Sequence, residues 1–280
     1  LSTLRALIAL VRPHQWLKNL MLYFPPFLGG TLLTPGTWQR GVLPFIAFSL
    51  ASSAGYVLND LMDREWDRRH PRKRTRPIAS GEVTPPLAIG MSLLLLLMSL
   101  VSSWGTSHEF TILIVAYLLL TISYSLWLKN VPVVDLFCIA AGFILRLEAG
   151  GGVFRIPVSE WLFLSVLLLS LFLAAGKRRA EKGIDGGESR KLLSHYPDGF
   201  LEGVLVLTGS AALVTYSMYT LSHRHLLTTV PLCCFGLLRY LLRVLSGKGG
   251  DPTDALVRDP WLCVVGIAWA GLVAWGLYGG

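Results

Sequence analysis

Long apolar runs dominate this chain, and its polar residues gather in the short stretches between them. Nine runs approach the roughly 20 mostly apolar residues that a bilayer-spanning helix needs. They cover about 17–35, 40–62, 86–104, 110–128, 132–150, 159–176, 199–221, 225–243 and 259–278. Most lack the period-2 alternation of a transmembrane strand, so a membrane β-barrel does not fit. The pattern predicts an all-α polytopic membrane protein with nine transmembrane helices, organised as one domain over 1–280. The first eleven residues, with Arg5 inside an apolar stretch, predict a short interfacial helix rather than a cleavable signal. Two hydrophilic loops, about 59–85 and about 176–198, are long enough to carry a site.

Composition agrees with the pattern. Hydrophobic residues make up 53% of the 280 and charged residues only 15%, against roughly 25% charged in a soluble domain. An ordinary soluble globule and a disordered chain are both excluded. The net charge of +8 would suggest nucleic acid in a soluble protein, but the placement of the charges points elsewhere. Of the 25 Lys and Arg, Arg40, Arg155 and Arg224 lie between runs on one face and Arg146 and Arg239 lie inside runs. All the others fall on the opposite face. By the positive-inside rule the N-terminus and both long loops are cytoplasmic, in an inner or plasma membrane. The expected macromolecular partner is the lipid bilayer, not nucleic acid; self-association is left open. The four cysteines sit in apolar segments without a C-x-x-C pair and read as small buried packers.

Chemistry concentrates at the cytoplasmic end of the second run, in Asn59-Asp60-Leu61-Met62-Asp63-Arg64-Glu65-Trp66-Asp67. On a helix, Asn59, Asp63 and Asp67 fall at i, i+4 and i+8, nearly one stripe, with Asp60 beside it. Like charges at that spacing repel. A cation is the simplest compensation, and hard oxygen ligands suit Mg²⁺, which commonly bridges one or two carboxylates to phosphates. The bland alternative is a solvated helix end whose acids pair with Arg64, Arg68 and Arg69. Directly after it comes Arg68-Arg69-His70-Pro71-Arg72-Lys73-Arg74-Thr75-Arg76-Pro77. Acid followed by base suits an anion held twice, through metal and by guanidinium forks; a topogenic or headgroup-binding patch is the other reading.

Together these motifs, N-D-x-x-D-x-x-x-D followed by R-R-H-P-R-K-R-T-R-P-I-A-S-G, resemble the first signature of the UbiA prenyltransferase superfamily. The opening Arg12-Pro13-His14-Gln15-Trp16-Leu17-Lys18-Asn19 is similar to that superfamily's first-helix motif. The resemblance implies a nine-helix intramembrane transferase. Aromatic prenyltransferases of the superfamily carry a second acidic motif, D-x-x-x-D, in the sixth-to-seventh loop. Here Gly176-Lys177-Arg178-Arg179-Ala180-Glu181-Lys182 stands in that place, followed by Asp185 and Glu188 without the spacing. A second basic cluster suits substrates that bring additional phosphates.

That departure resembles one branch, the decaprenyl-phosphate phosphoribosyltransferases, which transfer 5-phosphoribose from phosphoribosyl pyrophosphate (PRPP) to a polyprenyl phosphate. Gly142-Phe143-Ile144-Leu145-Arg146, Leu238-Arg239-Tyr240 and Gly249-Gly250-Asp251-Pro252-Thr253 resemble the same branch. The resemblance implies pyrophosphate on Mg²⁺ held by Asn59, Asp63 and Asp67, with Asp60 supporting, and a role in lipid-linked pentose supply for the cell envelope. Lys18, Lys73, Arg74, Arg76, Lys129, Lys177 and Arg178 are the candidates for the remaining phosphates. Gln15 and Tyr124 are candidates for ribose or phosphate oxygens, or for ordinary helix packing. Glu181 orients the basic cluster, touches ribose hydroxyls or forms a plain salt bridge. Asp135, near Lys129, is a further site candidate. Arg146 is expected to pair with Glu148, and Arg239 with Asp251 or Asp254. The competing readings are an aromatic prenyltransferase of a quinone pathway, which the missing second acidic motif opposes, and a non-catalytic transporter, which the clustering of charge at one interface opposes.

Overall fold

The computed structural model describes residues 2–69, 73–185 and 191–279, and its regular structure is helical. His70, Pro71 and Arg72 of the basic run, and 186–190 with Glu188 and Arg190, lie outside the described residues. Eight helices are named here in chain order: α1 (Val42–Met62), α2 (Pro85–Trp104), α3 (His108–Leu126), α4 (Val134–Phe154), α5 (Glu160–Asp185), α6 (Phe200–Leu221), α7 (Val230–Leu245) and α8 (Pro260–Tyr278). All eight are long and apolar enough, some with their flanking turns, to cross a bilayer. Their outer faces leave Leu93, Leu97, Val206, Leu207 and Ile267 exposed, as lipid-facing surfaces would. The chain is an integral multi-pass membrane protein.

Local sequence explains where the helices begin. Pro85 and Pro86 start α2, where a missing N–H costs nothing. The Ser107 hydroxyl accepts from the Phe110 N–H to cap α3, and Asp259 accepts from Trp261 and Leu262 to cap α8. The expected interfacial helix is present as Ser2–Val11, with Leu4 and Ile8 outward and Ala6 and Leu10 buried.

The first expected span, 17–35, is not one α-helix. Pro13–Tyr23 is a 3-10 helix and Phe24–Leu28 a short α-helix. The cause lies in the packing. Gly150 of α4 lies so close that an added Cβ would sit 2.2 Å from the Leu22 carbonyl oxygen. The buried Asn19 amide donates to the Ser49 hydroxyl of α1 at 3.1 Å. Further on, the Tyr278 hydroxyl at the end of α8 donates to the carbonyls of Pro26 and Phe27. The segment therefore packs between α1 and α4. On one side of it α1, α2 and α3 share cores around Phe48, Val57 and Ile114; on the other α4 to α7 share a core around Leu136, Phe172 and Tyr240.

Candidate active site

A cavity of about 920 Å³ opens where α1, α3 and α5 end and α4 begins. The acid stripe survives a break in its helix. Helix α1 stops at Met62, and Arg64–Arg69 forms a new short helix. The Asp63 N–H still donates to the Asn59 carbonyl (2.9 Å), and the Asp67 N–H to the Asp63 carbonyl (2.8 Å). Asn59, Asp63 and Asp67 accordingly all line the cavity. Lys129, from the short turn after α3, donates from Nζ to Asp63 Oδ1 at 2.5 Å and to Asn59 Oδ1 at 3.4 Å, and the Asn59 amide donates to Asp63 Oδ2 at 3.0 Å.

Asp60, expected to support the metal, faces the other way. It is 2% exposed and does not line the cavity. Its carboxylate accepts both oxygens' bonds from Arg12 at 2.6 Å and another from Arg76 at 2.9 Å. Arg76 also donates to Asp67 Oδ2 at 2.7 Å. One step off the stripe turns an acid from the cavity to its supporting wall. Arg12 and Arg76, not Arg64 and Arg69, are thus the arginines that hold Asp60 and Asp67, while Arg68 pairs with Glu65. Burial pushes the Asp67 carboxyl above the usual carboxylate range, against the opposing pull of Arg76. Lys73 lines the cavity; Arg74 is exposed outside it.

The end of α5 builds a second part of the lining, with both signs again present. Lys177, Arg178 and Glu181 at the end of α5 line the cavity with Tyr124 of α3. Arg178 is 1% exposed, and three of its nitrogens are committed: Nε to Asp135 (2.5 Å), one terminal nitrogen to Glu181 (2.8 Å), the other to the Tyr124 hydroxyl (2.7 Å). It shapes the wall more than it reaches a ligand. Asp135 is fully buried behind it, off the cavity, and pairs with Arg178 rather than with Lys129. Lys177 lies 3.8 Å from Asp251, which packing alone brings there. An added Cβ on Gly250 would meet the Gly176 carbonyl oxygen at 2.3 Å, and one on Gly176 would meet the Tyr240 ring at 2.6 Å. Two side-chain-free contacts thus let the 249–252 turn lie against α5. Burial would raise the Asp251 carboxyl, but Lys177 and Lys18 hold it below the usual range. Gln15 and Lys18 reach the cavity from the N-terminal 3-10 segment.

At the floor, Arg146 does not pair with Glu148. It donates to Asn19 Oδ1 (2.7 Å), the Gly142 carbonyl (2.6 Å) and the Tyr117 hydroxyl (2.8 Å), and stacks on the Tyr117 ring. Arg239 pairs with Asp259, not Asp251 or Asp254. Asp251 and Arg12 also line the cavity; in the sequence Asp251 stands only as a candidate partner of Arg239 and within the Gly249–Thr253 run, and Arg12 only as the head of the opening motif.

Among the described residues, no three His, Cys, Asp or Glu side chains converge as a metal cage. The oxygen donors Asn59, Asp63 and Asp67 nevertheless fit a hard divalent cation held by few protein ligands and completed by phosphates and water. They line one wall of a polar-mouthed cavity, with cations beside them to balance phosphate.

The sequence pattern of the UbiA prenyltransferase family matches residues 23–186. A decaprenyl-phosphate phosphoribosyltransferase of Mycolicibacterium smegmatis is 33% identical over 294 residues, covering 97% of this chain and 92% of its own length. The Mycobacterium tuberculosis protein of the same description is 33% identical over 276 residues, covering 94% and 91%. The structure of a UbiA homolog from Archaeoglobus fulgidus bound to GPP and Mg²⁺ superposes with a TM-score of 0.74 at 21% identity, covering 97% of this chain and 98% of that one.

Proposed function

The chain belongs to the UbiA prenyltransferase family, and on that premise we propose that it is a transferase moving 5-phosphoribose from PRPP to a polyprenyl phosphate, with release of pyrophosphate. The observation that carries this reading is one cavity lined both by the oxygen donors Asn59, Asp63 and Asp67 and by several cations, Lys18, Lys73, Lys129 and Lys177 among them. An aromatic acid would bring a single carboxylate to a lining that offers several cations. The curated relatives named for this reaction match nearly the whole chain.

Asn59, Asp63 and Asp67 would hold Mg²⁺, which when bound neutralises pyrophosphate charge. Lys129, already on Asp63, adds a cation next to the leaving group. Lys73 and Arg76 on that side, and Lys18 and Lys177 on the other, receive the ribose 5-phosphate and the lipid phosphate. In the reaction the ribose C1–oxygen bond to pyrophosphate breaks, and a lipid phosphate oxygen bonds C1 from the opposite face, with inversion. A phosphate monoester with a second pKa of roughly 6 is already largely dianionic near pH 7. No side chain must therefore act as general base, and positioning and charge stabilisation do the work.

The membrane setting follows the same logic. An eleven-residue 3-10 helix rises about 22 Å, and the five α-helical residues after it add about 7 Å. With that segment the bundle makes nine crossings, and the charge bias puts the N-terminus and the cavity mouth on the cytoplasmic face, where PRPP is water-borne and the acceptor membrane-borne. Purified protein incubated with labelled PRPP and polyprenyl phosphate, with and without Mg²⁺, tests the proposal. Metal-dependent formation of lipid-linked phosphoribose is expected; turnover only with a prenyl diphosphate and an aromatic acid would overturn it.

A further inference from the structure

A tyrosine outside the cavity ties three parts of this site together. Tyr196 follows the short helix Lys191–Ser194, and Leu192, Leu193, Tyr196 and Leu201 bury one another in a small apolar cluster. Its hydroxyl donates to Asp135 Oδ1 at 2.6 Å and accepts from the backbone N–H of Val133 at 2.8 Å. Both partners are demanding. Asp135 is fully buried, and its other oxygen already accepts from Arg178. Val133 holds φ 68° and ψ −45°, and the Val134 N–H donates to the Pro132 carbonyl at 2.8 Å. That is a γ-turn of the rare positive-φ kind, and for a β-branched residue it is strained.

The turn launches α4 so that Asp135, in its first turn, meets Arg178. Arg178 in turn grips Tyr124 and Glu181, both on the cavity. On its own segment, Tyr196 is flanked by Leu192 and His195, which also line the cavity. The Lys182 ammonium adds a second tether, donating to the Tyr196 carbonyl and to Asp198, each at 2.8 Å. One hydroxyl therefore joins the 192–198 segment, the strained turn and the ion pair behind the basic wall.

We propose that Tyr196 is a positioning residue: its hydroxyl pins the 192–198 segment to the Val133 turn and the Asp135–Arg178 pair, and so fixes the wall that encloses the water-borne phosphoribosyl donor. The donor is favoured over the lipid because this wall belongs to the charged mouth, not to the floor lined by Phe143 and Tyr117. The inference rests on the reaction proposed above. A wall that only encloses bound donor contributes equally to ground state and transition state, so its loosening acts on KM and spares kcat.

Tyr196→Phe deletes the hydroxyl and keeps the ring in its apolar cluster. In detergent or nanodiscs, amide exchange of 192–198 without substrate should quicken about tenfold, the order of one lost hydrogen bond to a charged group. The KM for PRPP should rise by about the same factor, with kcat within about twofold and the KM for polyprenyl phosphate unchanged. Val133→Gly placed in the same protein removes the strained side chain, and is expected to restore part of the protection that the 133–135 amides of the turn lose with the hydroxyl. Unchanged exchange overturns the pin, and faster exchange with an unchanged donor KM overturns the link to the donor. A fall in kcat alone also overturns it, and absence of recovery with Val133→Gly overturns the role given to the strained turn. If the wild-type protein turns over no PRPP, the proposed reaction fails, and the exchange comparison still decides whether Tyr196 holds the segment.

Discussion

The two walls of the cavity are built from the same kinds of groups in opposite order. At the end of α1 the oxygen donors Asn59, Asp63 and Asp67 face inward, while Arg12 and Arg76 sit around them and draw the odd acid, Asp60, into the protein. At the end of α5 the cations Lys177 and Arg178 face inward, while Asp135 lies buried behind. Each wall neutralises its own charge, so neither drives the protein apart before substrate arrives. Each still shows both signs to the cavity, Lys73 and Lys129 beside the acids and Glu181 and Asp251 beside the cations. Acid in front invites a cation carrying a diphosphate; base in front invites a phosphate directly. Counting charges along the chain does not reveal this, because both walls mix acidic and basic residues.

The sharpest way to break the comparison is Asp63→Ala. Turnover should fall about 10³-fold, while size-exclusion and helix content stay those of the wild type; retained activity would remove the first wall from the mechanism. Next in size is Arg178→Met, which leaves Asp135 buried without a counter-charge. A loss of about 3–5 kcal/mol is expected, seen as a lowered unfolding temperature in detergent, whereas Asp63→Ala should cost less, because it leaves the buried Lys129 without its carboxylate but still within reach of Asn59. A reversed ranking would mean that the second wall is the ligand-facing one and the first the structural one. The smallest effect is on pH dependence. Lys177 and Lys18 hold the Asp251 carboxyl low against burial, so the stability it contributes is present above the usual carboxylate range and is lost only as pH falls through its depressed value. In Lys177→Met the opposing pull weakens and Asp251 titrates higher. Stability at pH 7 should therefore fall below that of the wild type, and the difference should narrow as pH falls through the carboxylate range.

Much of the architecture was legible in the chain because lipid imposes a simple rule. Apolar runs long enough to span a bilayer must be helices, and eight of the nine expected runs are helices of that length. The exception teaches as much. In the first run the chain passes close against Gly150 as a 3-10 segment, and apolar composition does not report that packing. The acid stripe was equally legible, since i, i+4, i+8 spacing follows from helix geometry and persists through the break at Asp63.

Which charged side chains meet was not legible, and the reason is distance along the chain. Asp60 finds Arg12, Asp135 finds Arg178 and Tyr196, and Asp251 finds Lys177. Arg146 turns from its neighbour Glu148 to Asn19, far from it in sequence. By itself, then, the order of residues determined a helical membrane protein with oxygen donors and cations at one end, because hydropathy and helical period act locally. Whether each charge faces ligand or protein was decided only by tertiary packing, because a buried charge is held by whichever partner the fold carries to within hydrogen-bonding reach.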